Sequence, residues 1–404
     1  MIYTKKQRQL MELWRTKKLQ RINLLEGSVS SGKTWISLVC WGFWLATMPQ
    51  NQLYLMCGKS LTTLKRNCLI PLEAMFGQSN FSFSTSAKEA YLFGRRILLE
   101  GANDARSEGK IRGLTLQGAY CDELTLFPKD FFVMLLSRLR VPGAKLIATT
   151  NPDSPQHWLK REYIDRMAEL DMLTMRFLLE DNTTLDPQYV AAVKAEYTGV
   201  FYRRFILGEW CVAEGLIYPM FDKAVHVTHH PELPPGGDYY ISCDYGTLNP
   251  TSAGLWYLQP DGHAIRLREY YYDGRKTKTP RTDEEHYAAL EQLAGDVAGK
   301  VRAVIVDPSA ASFIECIRRH GLFRVWQADN SVLNGIRDTS SLLQMQYLHI
   351  CDNCTDIIRE FSLYRWDESA TEDRPIKEND HAMDDMRYFV RTAMTRSLKT
   401  IRRR

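Results

Sequence analysis

Residues 27–34 read GSVSSGKT: a glycine, four residues, then Gly-Lys-Thr. This is the P-loop spacing, in which consecutive backbone N–H groups wrap the phosphates of a nucleotide. It constrains the fold more than any other stretch, because such a loop must join a strand to a helix whose N-terminus faces the anion. Both flanks comply. RINLLEG carries Ile22, Leu24 and Leu25 and reads as a short strand, while TWISLVCWGFWLATM has the length and apolar content of a buried helix. The loop residues Gly27, Ser28, Ser31 and Gly32 are expected to cradle phosphate, Lys33 to reach the β- and γ-phosphates, and Thr34 to bind a magnesium ion.

A hydrolytic P-loop site needs an acidic strand end beside it. Residues 116–123, LQGAYCDE, close an apolar stretch with Asp122 and Glu123. Neighbours in a strand point to opposite faces, but where the backbone turns at the strand end both carboxylates can face one crevice. Asp122 is expected to support magnesium and Glu123 to orient and deprotonate water. A third strand, AKLIATTNP, ends in Thr149, Thr150 and Asn151, at the edge where open α/β sheets bind ligands. These short polar groups are expected to sense the terminal phosphate and couple its loss to movement. Small-molecule kinases also carry P-loops, but a glutamate after the acidic strand favours water as nucleophile. Arg112, Arg138 and Arg140 are candidates for an arginine finger.

The chain has 404 residues, more than one domain usually holds. Pro231, Pro234, Pro235, Gly236 and Gly237 suggest a break, so the expected division is a P-loop domain over 1–212, a linker over 213–237 and a second domain over 238–395. Residues 396–404, RSLKTIRRR, form a basic tail. With 52 Lys and Arg against 48 acidic residues, the net charge of +4 neither requires nor excludes a polyanionic partner. Nine cysteines without a signal-like N-terminus point to a reducing cytosol, and Cys351 and Cys354 form a CxxC with no second pair. No apolar run reaches the eighteen or more residues of a membrane span, so a soluble protein is expected.

The second domain offers its own chemistry. DYYISCDYGTLNPTSAGLWYL reads as strand, turn and strand with Asp244 at the first strand's end. VRAVIVDPSA is another apolar strand ending in an aspartate, Asp307, and NDHAMDDMRYFV starts a helix carrying Asp384. Three carboxylates from two strand ends and a helix can converge on a pair of divalent ions, and oxygen ligands suit magnesium or manganese. Such a pair activates water and stabilises the leaving oxygen of a phosphodiester. His381 and Asp384, three positions apart, share a helix face, whereas Asp385 points about 100° away. Asp384 is therefore assigned to the metal and His381 to a ligand or ligand-supporting role, with Asp380 and Asp385 as alternates.

In order and spacing, EGSVSSGKT, RGLTLQGAYCDELTLFP, ATTNPDSPQHWLK, GEWCVAEGLIYPMF, SCDYGTLNPTSAGLW, VDPSA and DHAMDDMRY resemble the large subunit of tailed-bacteriophage terminases. The likeness covers about residues 1–395. It implies an α/β protein: an N-terminal P-loop ATPase of the additional-strand type joined to a C-terminal nuclease of ribonuclease H-like fold. It further implies ATP-driven movement of double-stranded DNA into a procapsid and metal-dependent cutting of concatemers. ATP and Mg2+ would occupy the first site, with two Mg2+ or Mn2+ in the second.

By motif, Lys33, Thr34, Asp122 and Glu123 match the hydrolytic set, Thr149 to Asn151 the coupling segment, and Gln7 the adenine-reading glutamine. Asp244, Asp307 and Asp384 match the nuclease carboxylates. The implied partners are a small terminase subunit, the portal protein and further copies of the chain in a ring, in the host cytoplasm and transiently on the procapsid. One departure stands out. Many relatives carry an arginine inside the P-loop, where this chain has Ser28, Val29, Ser30 and Ser31, which favours a finger from elsewhere in the chain or from a neighbouring subunit. The competing expectation is a helicase-like translocase or repair ATPase whose second domain binds DNA without cutting it.

Overall fold

The computed structural model describes residues 3–229, 231–246, 249–370 and 372–395. The basic tail 396–404 lies outside them. The chain divides into two units, Met1–Ala191 with Val200–Val212, and Ala192–Gly199 with Ala213–Arg404.

Among the described residues, the first unit is built on an eight-stranded sheet. Its strands are β1 (Ile22–Gly27), β2 (Tyr54–Gly58), β3 (Phe81–Ser84), β4 (Glu89–Leu92), β5 (Arg95–Gly101), β6 (Gly118–Cys121), β7 (Lys145–Thr150) and β8 (Met172–Phe177). They lie in the order β3-β4-β5-β2-β6-β7-β1-β8. The six from β5 to β8 are mutually parallel, and β3 and β4 add an antiparallel edge. Parallel strands are covered on both faces, which explains why β2, β6 and β7 read as apolar runs instead of alternating. One face packs on Trp41 and Trp44 of the helix Lys33–Ala46, and the other on Phe131 and Phe132 of Lys129–Arg138.

The strand β7 lies between the P-loop strand β1 and the acidic strand β6, which is the additional strand expected from the resemblance. The register sets Leu25 beside Thr149, Glu26 beside Thr150 and Cys121 beside Ala148. Loop, acidic pair and polar strand end therefore leave the sheet at one edge.

The second unit's sheet, again among the described residues, comprises β9 (Val227–Thr228), β10 (Asp238–Asp244), β11 (Thr251–Leu258), β12 (Ala264–Tyr272), β13 (Val301–Val306), β14 (Val325–Gln327) and β15 (Leu348–Cys351). Their order is β14-β13-β10-β11-β12-β15-β9. The meander β10-β11-β12 is antiparallel, while β13 joins β10, and β14 joins β13, in parallel. The helix His381–Phe389 lies over β10 and β11, its Phe389 ring stacked on Trp256 at 4.5 Å. Two carboxyl-end aspartates and the start of this helix thus share one end of the sheet.

The expected linker 213–237 is corrected. Ile217 and Tyr218 are buried, Leu216 bridges to Arg365, Phe221 stacks on Phe361 at 3.8 Å, and β9 pairs with β15. The Pro and Gly residues that prompted the expectation lie only in its last third, whereas the preceding apolar residues gain more from burial than a solvated connection offers. The CxxC cysteines are likewise buried and unpaired, and Cys354 points its thiol at the Arg266 carbonyl. Among the described residues, no helix is long and apolar enough to cross a membrane.

Candidate nucleotide and metal sites

In the first unit the P-loop backbone explains its glycines. Gly27 has φ +133°, and a Cβ there would sit 1.9 Å from the Phe177 carbonyl oxygen. Gly32 has φ +80°, and a Cβ there would come within 2.9 Å of the Gln7 amide nitrogen. Gln7 is buried beside the loop and accepts from the Thr4 N–H at 3.0 Å, so the expected base-reading residue does lie against the P-loop. Ser31 donates to the Ser28 carbonyl at 2.8 Å, closing the turn from within. A cavity of about 340 Å³ opens here, lined by Ser30 to Trp35, Asn182 and Leu185.

Lys33 is the electrostatic centre. Its ammonium donates to the Ser28 carbonyl at 2.8 Å and to Asn151 Oδ1 at 2.6 Å. Complete burial pulls it down to about 8, against the opposing pull of Asp122 and Glu123. A buried cation held mainly by neutral oxygens is poised for an anion.

The acidic pair is held by the neighbouring strand end. Thr149 Oγ1 donates to Asp122 Oδ1 at 2.9 Å and accepts from the Glu123 N–H at 3.3 Å. Asn67 holds the other Asp122 oxygen at 3.0 Å. Glu123 adopts φ +58°, a left-handed conformation that costs a non-glycine residue roughly 1–3 kcal/mol and concentrates at functional sites. It turns the chain so that two consecutive carboxylates escape strand alternation. Thr150 bonds Thr125 Oγ1 at 2.8 Å, and Asn151 holds Lys33. The three residues expected to couple therefore connect the loop to the acidic turn.

Of the arginines proposed as fingers, Arg112 pairs with Glu108, Arg138 bonds Ser137, and Arg140 donates to the Leu114 carbonyl. None of these partners belongs to the loop or the acidic turn. Sequence reasoning missed Asn67, Asn182, which donates to the Ser30 carbonyl at 2.8 Å, and Tyr189, whose hydroxyl meets Ser30 Oγ at 2.9 Å. No motif marks them, since each is a single polar residue far along the chain.

The second unit carries a cavity of about 1060 Å³ lined by Asp244, Asp307, Asp380, His381, Asp384 and Tyr388, with Arg275, Lys276, Arg359 and Lys377 also in its wall. Tyr388 bridges two of the expected ligands, its hydroxyl donating to Asp244 Oδ1 at 3.3 Å and Asp307 Oδ2 at 3.2 Å. It stands four residues after Asp384, on the same helix face, a spacing that sequence alone could have used. Asp307 also accepts from the Ser309 N–H at 2.8 Å and Asn330 Nδ2 at 3.0 Å. Partial burial opposes its ionisation, but these donors outweigh it and hold the carboxyl below its usual range.

Asp244 behaves oppositely. Burial, and then the nearby charge of Asp384, raises it above the usual carboxylate range despite the bond from His381. Asp384 sits between Arg387 at 2.5 Å and Lys377 at 3.4 Å. All three expected carboxylates reach the cavity, yet among the described residues they do not form a cluster with every ligand oxygen within 4.8 Å. An all-oxygen donor set under mutual repulsion fits a hard divalent cation.

His381 is clarified. Its Nδ1 meets Asp244 Oδ2 at 2.8 Å, and although burial opposes its charged form, Asp244, Asp380 and Glu360 together raise its pKa. That nitrogen orients Asp244, while Nε2 lies at the cavity 3.9 Å from Asp380 Oδ1, so both expected roles, ligand and ligand support, stay within its reach. Asp380 remains an alternate within the pocket, paired with Lys377 at 3.3 Å. Asp385 does not. It is fully buried against Arg266, at 2.5 and 3.1 Å, and Ser242 and Ser252. The 100° offset turned it into the core. Asp385→Ala leaves the buried guanidinium with only the more distant Glu269, at 3.7 Å, and an expected loss of about 3–5 kcal/mol in unfolding free energy is checked by denaturant titration.

Glu360, also missed, caps the start of the helix. Its carboxylate accepts from the Ala382 N–H at 2.8 Å and the Met383 N–H at 3.4 Å, and burial lifts it to about 7. A helix N-terminus thus receives its anionic cap from a residue remote in sequence.

Comparison with known proteins sets these sites in context. A family profile described as terminase large subunit, T4likevirus-type, N-terminal, matches residues 24–224. The large terminase of a thermophilic bacteriophage is 38% identical with a TM-score of 0.91, the match covering 98% of this chain and 100% of that one. The same terminase in complex with ADP and with ATP-gamma-S gives TM-scores of 0.90 and 0.89 at 38% identity, over 97% of this chain and 100% of that one. No curated protein matches the chain.

Proposed function

The chain belongs to the terminase large-subunit family, and from that premise we propose that it is an ATP-driven motor that packages double-stranded viral DNA into a procapsid and cuts concatemers with a metal-dependent nuclease. One observation carries the reading: a single chain of this family holds a phosphate loop tied to an Asp-Glu turn and, in its other unit, a carboxylate pocket with cations in its wall. The strand order β12-β11-β10-β13-β14, an antiparallel meander extended by two parallel strands, supports the ribonuclease H-like assignment of that second unit.

The related phage terminase's complexes with ADP and ATP-gamma-S support ATP as the nucleotide. Its γ-phosphate, seated on the loop, competes for the Lys33 ammonium and releases Asn151 Oδ1. Glu123 takes the proton as water oxygen attacks the γ-phosphorus and the bond to the bridging β–γ oxygen breaks. Loss of inorganic phosphate returns Lys33 to Asn151, and the change passes through Thr150 and Thr149 to the acidic turn. Arg112, Arg138 and Arg140 hold local partners, and the P-loop contains no arginine. Both points support a finger supplied by the next subunit of a ring.

In the second unit, Asp244, Asp307 and Asp384 are the residues that would hold divalent cations, with Asp380 as alternate. Such ions supply an activated water and stabilise the leaving oxygen. His381 and Tyr388 orient the carboxylates, and Arg275 and Lys276 offer contacts to the DNA backbone, where a motor must bind without reading sequence. We assign the small terminase subunit and the portal as partners on family grounds, with action in the host cytoplasm.

The test uses the full-length protein. ATP hydrolysis stimulated by linear DNA, together with plasmid cutting that needs magnesium or manganese and stops with chelator, is the expected pair of results. Hydrolysis without cutting under any metal transfers the reading to a non-cleaving translocase. Lys33 adds a prediction. Because burial holds the Lys33 ammonium near 8 and a polyphosphate raises it, nucleotide binding at pH 9 is expected to take up most of one proton, and at pH 7 almost none. Calorimetry in buffers of different ionisation enthalpy measures this, and equal uptake at both pH values defeats it.

A further inference from the structure

Outside both sites, a third cluster of ligating groups spans two helices of the second unit. The helix Asp283–Ala294 carries Glu284 in its first turn, and the helix Ala311–His320 carries Cys316 and His320. Four positions apart, Cys316 and His320 share a helix face. His320 Nε2 lies 2.6 Å from Glu284 Oε2, and one ligand atom from each of the three residues falls within 4.8 Å of the others. The Cys316 thiol, buried at 5% exposure, is the interior member of this group. The Tyr287 ring stacks on His320 at 3.8 Å and 10°, fixing the plane of the imidazole. None of the three residues lines the carboxylate cavity.

We infer that Glu284, Cys316 and His320 form a binding site for a borderline-soft divalent transition ion, zinc above all, that clamps the two helices together. One thiolate, one imidazole and one carboxylate is a donor set zinc accepts and magnesium does not. Tetrahedral ligands about 2.0–2.3 Å from zinc lie about 3.3–3.8 Å apart, so the present cluster closes on an ion with side-chain shifts of about 1 Å. Glu284 and His320 are both exposed, Glu284 swinging freely and His320 sliding within the plane that Tyr287 sets, whereas Cys316 is the fixed point. The fourth position is left to water. An ion pair alone explains His320 against Glu284, but it does not explain why the buried thiol is the third member of the same contact. The clamp has a neighbour of interest, since Asp283 bonds the Tyr245 hydroxyl and Tyr245 lines the cavity beside Asp244.

The experiment titrates Co2+ into full-length protein, then displaces it with Zn2+. Sulfur-to-cobalt charge transfer in the near ultraviolet is expected, one equivalent per chain, bleached by zinc. Cys316→Ser is expected to abolish the band, and Glu284→Gln to weaken zinc binding at least the roughly 10–100-fold that loss of an outer partner costs. Asp307→Asn should leave it intact, which separates this site from the carboxylate pocket. A wild-type protein without the band, or a band that survives Cys316→Ser, overturns the inference. Where a variant does not fold, the wild type decides: zinc must slow alkylation of Cys316, read by peptide mass spectrometry, and unchanged labelling rejects the site.

Discussion

Glu123→Gln is expected to lower the kcat of ATP hydrolysis by roughly 10²–10⁴-fold, the range a positioned general base contributes, while nucleotide affinity changes little. The substitution is chosen for its shape. Glu123 stands at φ +58° and its N–H is held by Thr149 Oγ1 at 3.3 Å, and glutamine asks the same of the backbone. Only the ability to accept a proton from water is removed. Lys33, Ser31 and Gly32 are untouched, so binding of a slowly hydrolysed analogue should match wild type. A variant whose kcat is unchanged removes Glu123 from the chemistry. One whose affinity falls as far as its kcat makes Glu123 a binding residue.

Asp307→Ala is expected to reduce metal-dependent cutting by about 10³-fold or more while DNA-stimulated ATP hydrolysis continues. Losing a ligand of the ions that stabilise the leaving oxygen removes several kcal/mol from the transition state, and about 4 kcal/mol corresponds to 10³ in rate. Asp307 suits the test better than Asp244 or Asp384. It accepts from Ser309, Asn330 and Tyr388 without a cationic partner, whereas Asp384 is tied to Arg387 and Asp244 to His381. Its loss therefore strands no buried charge, and thermal unfolding should move little. Retained cutting in a folded variant assigns the metal to the other carboxylates. Lost ATP hydrolysis means the two units fail together, and the comparison must then be made with Asp307→Asn.

Much of the first site was legible in the sequence. The P-loop, the Asp122-Glu123 pair and the Thr149–Asn151 strand end all fell where the topology needs them, because each sits at the carboxyl end of an apolar run. Gln7 entered only through the family resemblance, and the structure places its amide against Gly32. The linker expectation failed because proline and glycine composition was extended backward over Ile217, Tyr218 and Phe221, where the rings of Tyr218 and Phe221 find Tyr364 and Phe361. Asp385 illustrates the opposite case. Helical periodicity alone separated it from Asp384, and Arg266, 119 positions away, shows where it went.

What the sequence determined by itself was the set of local devices: the nucleotide loop without an arginine, the strand ends that carry its acids, and the helix that presents Asp384. Consecutive backbone groups and short periodicities do that work, so a few residues suffice to specify it. What only the tertiary structure decided was which groups face each other. Tyr388 joins Asp244 to Asp307 across 144 and 81 positions, Glu360 caps a helix through Ala382, 22 positions later, and His381 Nδ1 meets Asp244. Such contacts depend on burial, which raises the cost of an unpaired charge until only the neighbours that the fold brings together can settle where it goes.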